Sequence, residues 1–88
     1  MTPNHLIIHG RVQGVFYRDW TVKTARQLGI SGWVRNLPDG TVEAHLEGAA
    51  DAVEAMIEKM HDGPIAARVD RIDRSEAQPQ GGETFERL

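Results

Sequence analysis

Residues 41–47, TVEAHLE, alternate strictly: Val42, Ala44 and Leu46 fall on one side, Glu43, His45 and Glu47 on the other. A strand with that period buries one face and turns the other to water, and a slip of one residue would expose its whole apolar set. Such a strand needs a pairing partner and an apolar cover. The partner is the preceding run, ISGWVRN (Ile30 to Asn36), joined to it by LPDG. Pro38 suits the first central position of a type I turn and Gly40 its end. The cover is supplied by AADAVEAMIEKMHDGP, where Val53, Met56, Ile57 and Met60 recur at i, i+3, i+4 and i+7. Asp51 lies in the first turn of this predicted helix, Lys59 and His61 in the last, and Gly63 with Pro64 ends it.

The remaining segments complete a pattern. HLIIHGRV (His5 to Val12) reads as a first strand, rich in β-branched residues and stopped by glycine. WTVKTARQLG reads as a helix, with Tyr17, Thr21, Ala25 and Leu28 as its stripe, Asp19 in its first turn and Gly29 just past its end. AARVDRID (Ala66 to Asp73) reads as a strand whose irregular alternation suggests a bulge. SEAQPQGGE reads as a loop and TFERL as a short edge strand. The order is that of an α+β, ferredoxin-like split β-α-β-β-α-β sandwich: an antiparallel sheet with two helices on one face and the other face open. At 88 residues the chain supports a single domain, 1–88, with one core.

Composition narrows the function. Thirteen acidic against ten basic residues give a net charge of -3, unlike a broad nucleic-acid binder. An RNA-recognition sheet of the same element order would carry stacking aromatics, yet HLIIHGRV and TVEAHLE have none. There are no cysteines, which excludes disulfides, thiolate metal sites and a cysteine nucleophile. LII, Leu6 to Ile8, is too short for a membrane span or a secretory leader, so a cytoplasmic protein is expected. His5, His9, His45 and His61 have no metal-ligand spacing, and no metal or other cofactor is implied. His5 and His9 read as residues of the open face, and Trp20 and Trp33 as packing residues. No Ser–His pair and no pair of carboxylates suggests nucleophilic or general acid–base catalysis.

One stretch stands apart. GRVQGVFYRDW (Gly10 to Trp20) joins the first strand to the first helix and combines two glycines with two arginines. Gly10 and Gly14 permit a backbone that gathers N–H groups around one point. The helix N-terminus that follows adds free donors, and Arg18 can fork onto two oxygens of a phosphate. An ordinary glycine turn with a solvated arginine explains the same residues. The stretch is neither a Walker loop nor a G-x-G-x-x-G fingerprint. Asn36, at the end of a strand before a turn, is by itself an unremarkable use of asparagine.

Taken together, GRVQGVFYR and GWVRNLPDG resemble the two motifs of the acylphosphatases, and the likeness in element order runs from His5 to about Asp73. TFERL matches loosely. The resemblance implies hydrolysis of acyl phosphates, with a small-molecule acyl phosphate and inorganic phosphate as the binding partners. It implies that the loop Gln13, Gly14, Val15, Phe16, Tyr17 and Arg18 holds the phosphate, that Arg18 binds it, and that Asn36 orients water. Tyr17 stands where phenylalanine is more usual. Leu37 stands where some members carry a hydroxyl, so side-chain support for Asn36 from that position is missing. Neither nucleic acid nor membrane is implied as a partner, and nothing requires more than a monomer. A non-catalytic anion-binding module on the same fold is the competing reading.

Overall fold

The computed structural model describes residues 3–88. Its elements follow in the order β1 (Asn4–Arg11), α1 (Tyr17–Gln27), β2 (Ser31–Asn36), β3 (Val42–Glu47), α2 (Ala50–Asp62), β4 (Arg68–Glu76) and β5 (Phe85–Arg87). The five strands form one sheet in the order β4-β1-β3-β2-β5. The LPDG turn closes the β2–β3 hairpin through Gly40 N–H donating to Leu37 O at 3.2 Å.

The alternation of β3 sets the layers. Val42, Ala44 and Leu46 are fully buried beside Leu6 and Ile8 of β1 and Val34 of β2. Val53, Met56 and Met60 of α2, with Tyr17 and Ala25 of α1, close over them to form one core. Each Leu- or Ile-sized side chain so buried stabilises by about 1.5–3 kcal/mol. No helix of the described residues is long and apolar enough to cross a membrane.

Four expectations need correction. The sheet is mixed: β1 to β4 pair antiparallel, but β5 runs parallel to β2, with Gly32 opposite Phe85. The chain leaves β4 at one edge of the sheet and crosses to the other edge, so it enters β5 in the direction of β2. The segment expected as a loop after Asp73 starts later, because β4 continues to Glu76, which pairs with Asn4. Gly10 belongs to β1, not to the loop that follows. The register shifts between His9 and Gly10, where φ is +135° and an added Cβ would meet the Arg68 carbonyl oxygen at 2.1 Å. That glycine serves strand pairing at a bulge. Finally, His45 is buried at 1% exposure. Trp33 stacks on its ring at 6.0 Å, and Trp33 Nε1 donates to Gln80 Oε1 of the crossover segment at 2.8 Å, so this part of the sheet's other face is covered.

Candidate active site

The loop from β1 to α1 is pinned at two places and free between them. Val12 and Val15 are buried in the core, at 1% and 6% exposure, while Gly14 and Phe16 point outward. Gly14 has φ +73°, and Phe16 has φ 64° and ψ 22°. A left-handed phenylalanine is costly unless its surroundings impose it, and such residues gather at functional sites. Left-handed residues alternating with right-handed ones turn successive N–H groups toward one point.

Phe16 is also the residue that begins α1, and no side chain caps that end. The N–H groups of Tyr17, Arg18 and Asp19 have no acceptor one turn back. Trp20 N–H is the first to be taken, by Phe16 O at 3.0 Å. The free N–H groups at this end of the helix therefore face the loop's hollow.

Two side chains fix this arrangement. Gln13 Nε2 donates to Leu37 O at 2.8 Å and to Thr41 O at 2.9 Å, tying the loop to both ends of the hairpin turn. The Tyr17 hydroxyl donates to Met60 O of α2 at 2.7 Å. Burial raises the Tyr17 phenol far above its ordinary value, so it stays a protonated donor. The extra oxygen relative to phenylalanine thus joins the two helices.

Arg18, half-buried in the first turn of α1, donates from Nη1 to Leu88 O at 3.2 Å. Asn36, the last residue of β2, brings Oδ1 to a buried position with no hydrogen-bond partner among the described residues. Leu37 contributes through its main chain: its N–H donates to Thr41 O at 2.9 Å, and its carbonyl receives Gln13. Gly14, Phe16, Tyr17, Arg18 and Asn36 line one cavity of about 230 Å³. The side chains of Gln13 and Val15 turn away from it, to the hairpin and the core. Asp19 and Arg87 also line the cavity and are ion-paired at 2.5 Å. They lie 68 residues apart, so the sequence holds no local sign of this pair. Among the described residues, no group of three or more His, Asp or Glu side chains is placed to hold a metal ion.

The comparisons with known proteins agree with one another. The pattern of the acylphosphatase family matches residues 4–87. An acylphosphatase of Acidovorax sp. (strain JS42) is 55% identical over 82 residues, spanning 93% of this chain and 84% of that one. One from Thermococcus kodakarensis is 54% identical over 81 residues, spanning 92% and 89%. The crystal structure of acylphosphatase from Bacillus subtilis superposes with a TM-score of 0.96 at 31% identity, covering 100% of this chain and 99% of that one. The likeness covers the terminal strand, which the motifs alone matched loosely. The chain belongs to the acylphosphatases, enzymes that hydrolyse the bond between a carboxyl group and a phosphate.

Proposed function

We propose that the cavity between loop 12–16, the start of α1 and the end of β2 is the site of acyl phosphate hydrolysis, with Arg18 and Asn36 as its catalytic residues. The observation that carries this is that Asn36, whose buried Oδ1 has no hydrogen-bond partner among the described residues, lines one cavity with the uncapped end of α1 and with Arg18. A side-chain amide and a set of anion donors meet there, as a phosphoryl group and an attacking water require.

The main-chain N–H groups of Gln13 to Arg18 and the Arg18 guanidinium hold the three phosphoryl oxygens. With its amide turned so that Oδ1 faces the cavity, Asn36 accepts a hydrogen bond from water and aims the water oxygen at phosphorus, in line with the acyl oxygen. As the water–phosphorus bond forms, the bond from phosphorus to the acyl oxygen breaks, and the electron pair leaves with the carboxylate. One water proton passes to a phosphoryl oxygen and the other stays on the entering oxygen, giving dihydrogen phosphate. The leaving carboxylate is a weak base and needs no proton, so the site requires no general acid. An amide oxygen is too weak a base to take the water proton, which is why the substrate itself accepts it. The donors offset the phosphoryl charge, so the reading calls on neither a metal nor a covalent intermediate, and one chain forming one domain suffices.

Hydrolysis of acetyl phosphate with a chelator present tests this reading. The wild-type protein should turn over substrate and be inhibited by inorganic phosphate. Arg18→Ala should lose about 10²–10³-fold in turnover, the scale for removing one charge-stabilising donor, together with phosphate inhibition. Normal activity and normal inhibition in that variant would show the assignment to be wrong.

A further inference from the structure

The phosphoryl cavity does not end at its own wall. A second groove, of about 540 Å³, shares Asp19 and Arg87 with it and continues along the outer face of α1 past Val22, Lys23 and Arg26. Asp19, Val22, Lys23 and Arg26 stand at i, i+3, i+4 and i+7, a straight stripe that starts in the helix turn beside the phosphoryl cavity. At 1.5 Å per residue it extends about 10 Å away from that cavity.

The stripe's charge is opposite to the chain's. Three cations, Lys23, Arg26 and Arg87, meet one carboxylate, Asp19, on a protein of net charge -3. Asp19 is engaged by Arg87. Arg26 uses Nε to hold Phe85 O at 3.1 Å, and its terminal nitrogens have no partner among the described residues. Lys23 is exposed and makes no hydrogen bond or ion pair among them. Val22, half-buried, gives the groove an apolar floor between the charges.

We propose that this groove is the subsite for the acyl half of the substrate, and that it selects acyl phosphates whose acyl group carries a second anionic group at its far end. This rests on the phosphoryl site proposed above. With the phosphate in the loop, the departing acyl group extends over Asp19 and Arg87, its carbon skeleton lies on Val22, and its distal anion meets Lys23 and Arg26. Acyl phosphates with an uncharged acyl group leave those cations unused.

The test compares two rigid substrates, 4-carboxybenzoyl phosphate and 4-methylbenzoyl phosphate, which differ only in the distal group. The wild-type protein should show a kcat/KM ratio several-fold in favour of the carboxylate at low ionic strength, shrinking as salt rises. Lys23→Gln, an exposed helix substitution that keeps the fold, should lower that ratio about three- to tenfold. Arg68→Gln removes the same charge from β4, at the sheet edge opposite β5 and Arg87, and should leave the ratio as in wild type. A wild-type ratio of one or less overturns the subsite, as does a ratio that Lys23→Gln leaves unchanged or that both variants lower equally. Hydrolysis of neither substrate overturns the phosphoryl site itself. Hydrolysis of both without preference overturns the subsite alone.

Discussion

Asn36 keeps a buried oxygen with no hydrogen-bond partner among the described residues, and that has an energetic consequence. An unsatisfied buried acceptor costs about 1–3 kcal/mol, so folding alone does not account for this residue. Asn36→Ala should therefore cost little or no stability and can raise the melting temperature slightly. Its kcat for acetyl phosphate should fall at least about tenfold, while inhibition by inorganic phosphate stays near wild type. Thermal melts and kinetics on the same preparation check this. A melting temperature several degrees lower with kcat intact would make Asn36 a structural residue. The sequence marked this position through the pairing of two motifs, but not this property. Burial and missing partners depend on residues far away in the chain. Gly10 fails for the same kind of reason: a glycine at a bulge and a glycine in an anion-binding loop are identical letters, separated here by where β4 passes.

At the scale of elements, Gln13 shows how the loop and the hairpin become one unit. Its amide spans Leu37 O and Thr41 O, the two carbonyls that flank the LPDG turn. Both carbonyls have a second donor: Leu37 N–H reaches Thr41 O, and Gly40 N–H reaches Leu37 O. Gln13→Ala therefore strips neither bare, and the cost should stay near 1 kcal/mol, or about 4–8 °C in melting temperature for a domain of this size. Turnover should fall by more than the stability loss explains, because the loop is then no longer tied to the strand carrying Asn36. A variant with unchanged kcat would mean that the loop holds its shape without the hairpin. The hairpin itself was legible, since alternation and turn chemistry are local. So was α2, whose four periodic residues are the four buried ones. The direction of β5 was not legible, because it follows from which edge of the sheet the crossover segment reaches.

For the whole molecule, the short β5 matters beyond its three residues. Phe85 is fully buried, its carbonyl holds Arg26, and Arg87 holds Asp19 at the cavity. Phe85→Ala should cost about 3–5 kcal/mol, a large share of the roughly 4–13 kcal/mol expected for 88 residues. Denaturant unfolding should show this as a lower midpoint, with loss of activity following the unfolded fraction. A midpoint within experimental error of wild type would mean that β5 is dispensable.

Part of the acid sensitivity arises on the sheet face away from the helices. Three imidazoles there pair with carboxylates: His5 with Glu43 at 2.7 Å, His45 with Glu47 at 2.9 Å and His9 with Asp73 at 2.9 Å. The hydrogen bond from His45 holds the Glu47 carboxyl below its ordinary value, and that from His9 does the same for Asp73. Burial acts to raise Glu43, but donors from His5 and Arg35 outweigh it and bring it down. A carboxyl with a lowered value in the folded state binds fewer protons there than in the unfolded chain, so acid favours unfolding. The contribution is complete above the ordinary values, 4.5 for Glu and 3.8 for Asp, and is lost as pH falls through the lowered folded ones. Melting temperature should therefore be insensitive to these groups between pH 7 and about pH 5.5, where carboxyls of ordinary value are ionised in both states. It should then fall steadily toward pH 3. Glu47→Gln removes the titration whose partner, His45, is almost fully buried. Its melting temperature should be lower than wild type at pH 7 but should drop less between pH 7 and pH 3. Parallel profiles for the two proteins would rule out Glu47 as a source of the acid response and leave it with the other lowered carboxyls, Glu43, Asp73, Asp39 and Glu54.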